Sequence, residues 1–312
     1  MSSIDPIVLF FVLGFVARLV RSDLRLPPAI YDFLSVVLLL AIGLKGGVEL
    51  ARQSLGALLP GMLIVIMLGV TLTLIAFPIL RFGGRLKRVD AASVAAHYGS
   101  VSVGTFAVGM AYLTAAGVTY EAHMTLYLVL LEIPAIIVGV VLARGISMRT
   151  RWGKLAHEVL FGKSIVLLIG GLLIGWAVGP DGVKPIGGLF FDLFKGVLAL
   201  FLLEMGLICG NQMTSLRRYG LTLILFGVVM PLIGAGLGSI VGKFMGLSVG
   251  GITLLAVLAG SASYIAVPAA MRITVPESNP ALSLSASLGV TFPFNVTVGI
   301  PLYLTMAKWI HS

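Results

Sequence analysis

Ten predominantly apolar runs follow one another along this chain, most of them close to the length that crosses a bilayer. Hydrocarbon offers no partner for a backbone N–H or C=O, so a spanning segment must satisfy its own backbone, which a helix does. About 20 residues of helix cross the hydrocarbon core. The expected spans are Pro6–Val20, Ile30–Gly47, Leu55–Leu80, Ala91–Ala115 and Tyr120–Ala143, then Ser164–Val178, Gly188–Gly210, Leu221–Val241, Gly250–Ala270 and Ala281–Ala307. Composition agrees. Only 11% of the residues are charged and 59% are hydrophobic, whereas a soluble domain carries about 25% charged residues. The fold class expected is therefore an all-α polytopic membrane protein of ten transmembrane helices, with the bilayer as its solvent.

Two of these runs are interrupted by small polar residues. The fourth contains Gly99-Ser-Val-Ser102 and the ninth Gly260-Ser-Ala-Ser263. Setting residue 43 against 206 also aligns Ile42-Gly-Leu-Lys-Gly-Gly47 with Met205-Gly-Leu-Ile-Cys-Gly210. Glu132-Ile-Pro134 falls near Thr291-Phe-Pro293, two residues short of the offset that pairs Gly99 with Gly260. The offsets are 163 and 161. Five spans per half is an odd number, so the halves enter the membrane from opposite sides. The expectation is two inverted repeats, residues 1–143 and 164–312, joined by a cytoplasmic linker at 144–163, with broken helices four and nine crossing near the midplane.

Positive charge sets the orientation. With the N-terminus outside, cytoplasmic loops and flanks collect Arg18, Arg21, Arg25, Arg81, Arg85, Lys87, Arg88, Arg144, Arg149, Arg151, Lys154, Lys163, Arg217, Arg218 and Arg272, which is 15 of the 21 cationic residues. Both termini are expected on the non-cytoplasmic side of a bacterial-type inner membrane. The first run lacks the positive leader of a signal peptide, its arginines following it instead, which fits a retained span. The net charge of +9 suits loops facing anionic lipid. No basic run with interleaved aromatics occurs, so no nucleic-acid partner is expected. Cys209 is the only cysteine and allows no intrachain disulfide.

A break in a membrane helix exposes backbone N–H groups at the start of its second half, with the positive end of the dipole. Such an end binds anions without a cationic side chain. Ser100, Ser102 and Thr105 add hydroxyls on one side; Gly260, Ser261, Ser263 and Tyr264 complete the other. Hydroxyls both donate and accept, which suits a small planar oxyanion carrying its own proton. No Lys or Arg lies in either break, which favours a weakly held monoanion. The alternative is structural, since serines in membrane helices also bond back to the preceding turn or pack against a neighbour. Glu132, Asn295 and the backbone at Gly99 and Gly104 are candidates for a cation such as Na⁺ or for gating. Buried charges in a membrane are costly and usually functional. The histidines are scattered, with no His-Glu-x-x-His pair and no Gly-x-Ser-x-Gly elbow. Neither an enzyme nor a transition-metal site is expected.

These residues resemble the cyanobacterial-type sodium-dependent bicarbonate transporter family over nearly the whole chain. The resemblance rests on Ile42-Gly-Leu-x-Gly-Gly47, Val89-Asp90, Gly99-x-Val-Ser102 with Thr105, Tyr120-Glu-Ala122, Ile133-Pro-Ala135, Ser261-x-Ser263, Pro268, Arg272, Pro276, Asn279-Pro280 and Pro293. It implies an elevator-like, Na⁺-coupled uptake of bicarbonate by a homotrimer. Ser102, Thr105, Ser261 and Ser263 would hold the anion. It also implies a small nucleotide-sensing regulatory protein as a cytoplasmic partner, and no cofactor beyond Na⁺ as coupling ion. Three departures stand out. Tyr264 replaces an Asp of well-known members, Glu132 replaces another Asp with its charge kept, and the 144–163 link is short where those members have a long loop. A carrier of another small organic monoanion, or an anion channel lined by the same serines, remains an alternative.

Overall fold

The structure is a computed structural model that describes residues 6–51, 55–145 and 152–311. Arg52, Arg149 and Arg151 of the charge pattern lie outside the described residues, as do the side chains of Arg217 and Arg218. Among the described residues the chain is helical, with no strand. Seven helices are long and apolar enough to cross a membrane. Shorter apolar helices accompany them, α1 (Pro6–Leu19) and α10 (Val249–Ala259) among these.

After α1 come α2 (Pro28–Leu50), α3 (Leu55–Pro78), α4 (Arg88–Gly99), α5 (Val103–Ala115) and α6 (Met124–Arg144). The expected fourth span is thus two helices with Ser100–Ser102 between them. A short helix, α7 (Trp152–Phe161), occupies the expected linker. It lays Leu155 and Val159 against Ile136, Val140 and Met271. α8 (Lys163–Val183) bends at Gly179, whose φ is 66°. α9 (Phe194–Phe244) runs for 51 residues, which at 1.5 Å per residue is about two and a half times the bilayer core. It is broken at Gly220, where φ is 78° and only glycine sits without strain, and so contains the spans Phe194–Met213 and Gly220–Phe244. The ninth run divides into α10 and α11 (Ala266–Thr274). The last helix, α12 (Pro280–His311), widens into π turns at Ser287–Thr291 and Asn295–Gly299, on either side of Pro293. Proline has no N–H to continue the ladder, and the wider turns absorb the defect.

Two helix pairs are packed backbone to backbone through glycine. α1 lies on the first part of α9, and α2 lies on α8. In the first pair Gly14 abuts the Leu203 carbonyl and Gly206 the Phe11 carbonyl. In the second, a Cβ on Gly171 would come within 3.0 Å of the Leu40 oxygen, and one on Gly43 within 2.6 Å of the Leu168 oxygen. Leu40 and Leu203 are 163 residues apart, as are Gly43 and Gly206. Their partners Gly14 and Gly171, and Phe11 and Leu168, are 157 apart, so matching contacts recur with α2 and α9 at the offset read from the sequence and α1 and α8 six residues short of it. Small residues let helix backbones approach where hydrocarbon supplies no hydrophobic drive.

Two carboxylates tie the broken helices to loops. Glu121 Oε1 accepts from Ser248 N–H at 2.5 Å and its Oε2 from the Ser248 hydroxyl at 3.1 Å, at the N-terminus of α10. At the start of α4, Asp90 Oδ1 accepts from Asn279 N–H at 2.8 Å, just ahead of α12. A carboxylate on a helix N-terminus satisfies orphan donors and complements the dipole. Glu121→Ala should cost about 1–2 kcal/mol, read as a lower Tm of the detergent-solubilised protein. A Tm unchanged within error would show that α10 needs no cap from this side.

Candidate functional site

The site grows from the two interruptions. After Gly99 the backbone turns extended at Ser100, with φ −94° and ψ −170°. Helix resumes at Val103 with Ser102 as N-cap. Its Oγ accepts from Thr105 N–H at 3.0 Å and from the Thr105 hydroxyl at 2.8 Å. Thr105 N–H is thereby satisfied, and the Gly104 N–H before it faces the Tyr264 hydroxyl. On the other side α10 stops at Ala259 and α11 begins at Ala266.

The breaks face each other and share hydrogen bonds. Ser102 N–H donates to Ser261 Oγ at 2.9 Å. The Ser261 hydroxyl donates to Leu258 O at 2.9 Å. Ser263 N–H donates to the His97 carbonyl at 2.8 Å. Ser100, Ser102, Thr105, Ser261 and Ser263 are all at most 3% exposed. Residues from opposite halves of the chain thus satisfy one another's backbone where neither helix can.

A cavity of about 10 Å³ lies at this crossing, lined by Val101, Ser102, Val103, Glu132, Ser164, Ser263, Tyr264 and Ile265. That is room for about one water. Of the residues singled out in the sequence, Ser102, Ser263, Tyr264 and Glu132 line it. Ser261 and Thr105 stand behind it in the bonds above. Ser100 donates to the Glu132 carbonyl at 3.4 Å. Asn295 donates to the Gly260 carbonyl at 2.8 Å and accepts from Tyr303 at 2.7 Å, so it ties α12 to the second break. Gly99 packs against Thr73, and Gly104 makes room for the Tyr264 hydroxyl. That phenol is 9% exposed, packs edge-on to Phe292 at 5.6 Å, and its oxygen has no hydrogen-bond partner among the described residues. Glu132 is 2% exposed and its Oε2 is likewise unpartnered.

Two contributors escaped the sequence reading. Ser164 opens α8 and reads only as the first residue of a span. His97 contributes its main-chain carbonyl, which no residue type advertises; its Nδ1 pairs with the Ser93 carbonyl at 2.7 Å. A wider vestibule of about 650 Å³ lies along α5, where Met110 and Thr114 face Ile42, Lys45, Tyr120 and Lys195. Lys45 Nζ donates to Tyr120 Oη at 3.1 Å and sits 5.5 Å from its ring centroid. Among the described residues no three of His, Cys, Asp and Glu cluster as metal ligands would.

The Gly104–Tyr264 contact yields a test. A Cβ at residue 104 overlaps the phenol oxygen, so Gly104→Ala should lower Tm by several degrees. Adding Tyr264→Phe should return part of the loss, because the colliding atom is gone. Strictly additive effects in this double-mutant cycle would show that the two residues do not touch.

A family model described as the Na⁺-dependent bicarbonate transporter superfamily matches residues 6–308. No curated protein matches the chain. The match runs across both breaks and every helix around them, and the chain therefore belongs to the Na⁺-dependent bicarbonate transporter superfamily.

Proposed function

We propose that this protein is a secondary active transporter that takes up bicarbonate coupled to Na⁺, by elevator-like alternating access. The observation that carries the reading is the crossing of the two breaks, where Ser102, Ser263 and Tyr264 bring hydroxyls to one buried cavity with no Lys or Arg in its wall. Anion binding there draws on the dipole ends, at about 0.3–2 kcal/mol each. Charge-assisted hydrogen bonds contribute roughly 1.5–3 kcal/mol each. Desolvating a small anion consumes much of that. A co-bound cation offsets the charge that remains, all the more because Glu132 adds a carboxyl to the same wall. This is the physical case for Na⁺.

Two inverted repeats of five spans, ten in all, are supported by the matched contacts of α1 on α9 and α2 on α8. Glu132 and Asn295, also 163 residues apart, each reach one break. The charge pattern supports both termini lying outside the cytoplasm, and on that orientation the Lys45 vestibule opens to the outer face. A homotrimer and a nucleotide-sensing regulator belong to the same proposal. The cavity, of about 10 Å³, favours a carrier that must open over a channel with a continuous pore. It also favours a small anion over a bulky organic one.

Uptake of labelled bicarbonate by purified protein in liposomes tests this. An inward Na⁺ gradient should drive accumulation above equilibrium. Downhill flux alone would make the protein a channel, and no flux from folded protein would remove the transport reading. Ser263→Ala should raise the apparent KM about tenfold, the worth of one charge-assisted hydrogen bond, with expression and oligomeric state retained. An unchanged KM would assign Ser263 to packing.

A further inference from the structure

The donor groups of the cavity are in excess on one side, and a bare acceptor faces them. Ser102 Oγ already accepts two hydrogen bonds from Thr105, so its own hydrogen is free to point outward. Ser263 Oγ accepts from Val267 N–H at 3.4 Å and also keeps its hydrogen. The Tyr264 hydroxyl lies beside the Ser102 hydroxyl and the Gly104 N–H, both donors, and finds no acceptor for its own hydrogen. Three O–H donors thus converge on one small space. Glu132, on α6, lines the same cavity, is 2% exposed, and holds Oε2 without a donor. With the co-bound Na⁺ of the proposed site offsetting its charge, Glu132 is a carboxylate, and a carboxylate only accepts. A ligand made of acceptors alone, such as nitrate or a halide, satisfies the three hydroxyls but sets its negative charge against Glu132 with no proton between them. A buried acceptor left in that state is costly.

We infer that Glu132 accepts the hydrogen bond of the transported anion's own hydroxyl, and thereby selects a protonated oxyanion over a planar one of the same size that has no proton. The inference rests on the bicarbonate reading above and names what would make that site specific. Bicarbonate presents two charge-bearing oxygens and one O–H. The oxygens take the Ser102, Ser263 and Tyr264 donors, and the O–H turns to Glu132. No proton is transferred. Nitrate has the same trigonal shape and charge and nothing to donate. Discrimination here arises from an unpaired group that punishes the wrong ligand as much as from contacts to the right one. A site built to pair with a substrate hydroxyl rejects the analogue lacking it more strongly than a site that judges shape alone.

The test compares bicarbonate with nitrate under saturating Na⁺. In proteoliposomes, nitrate should inhibit wild-type bicarbonate uptake only in large excess. Glu132→Gln keeps the size of the side chain but presents an amide that donates as well as accepts. It should shrink the ratio of the nitrate inhibition constant to the bicarbonate KM at least tenfold. Nitrate competing at parity in the wild type, or a ratio unchanged within twofold in Glu132→Gln, overturns the inference. Should the variant fail to fold, thermal unfolding of the wild type decides. Bicarbonate should raise Tm at concentrations where nitrate does not, and equal shifts overturn the assignment. Bicarbonate-selective stabilisation without uptake strikes the transport reading and upholds Glu132. Uptake with nitrate at parity does the reverse.

Discussion

A peptide group inside hydrocarbon must find a partner, and at two places in this chain the helix ladder fails to provide one. Each interruption is made good by the other. Ser102 N–H goes to the Ser261 hydroxyl, and Ser263 N–H goes to the His97 carbonyl. Neither α4–α5 nor α10–α11 would tolerate its break alone. The crossing therefore ties the two halves of the chain together in the same place where it leaves hydroxyl hydrogens and helix N-termini facing inward. Structural necessity and the site proposed for a solute have one origin.

Around the crossing, the ends are fixed by charge and the middle by close packing. Glu121 holds the start of α10, and Asp90 holds the entry to α12. The two ties use opposite logic, since one carboxylate comes from a loop to a helix start and the other from a helix start to a loop. α12 carries a second layer of support. Thr291 donates to the Gly227 carbonyl at 2.7 Å and meets Tyr98 at the same distance, while Asn295 reaches Gly260. Both residues lie in the π turns beside Pro293. Widened turns re-aim side chains that a regular helix would direct elsewhere.

The sequence made the breaks legible because their cause is local: Gly followed by Ser-x-Ser inside an apolar run has no other use for so many helix-weakening residues. Ser102, Ser263 and Tyr264, singled out as anion-binding candidates, and Glu132, singled out for a cation or gating, line one cavity. The sequence could not divide the serines by role. Whether a hydroxyl points at a cavity or at the carbonyl three residues back depends on the partner strand of chain, and Ser261 bonds to Leu258 for that reason. Asn295, read as a possible cation ligand, has its amide spent on Gly260 and its oxygen on Tyr303. The amphipathic α7 was read as plain linker because ten residues sit below the length at which a span is recognised. Ser164 had no local signal, since only the docking of α8 beside α6 brings it to the site.

On the transport proposal, the size of the cavity indicates which contact must give for an anion to enter. A space of about 10 Å³ holds about one water, less than any oxyanion needs. The break-to-break hydrogen bonds cannot open without leaving buried donors orphaned, a cost of about 1–3 kcal/mol apiece. Tyr264 is held differently. Its oxygen is unbonded, and its ring rests on Phe292 and against Gly104, beside Phe201. Packing of that kind is surrendered gradually as a ring rotates, and an anion arriving at α5 would give the phenol the acceptor it lacks. The residue that fills the proposed seat is thus the one whose movement would cost least and whose hydroxyl would gain most from a ligand. On the transport proposal, Tyr264 would couple opening to occupancy with no charge of its own.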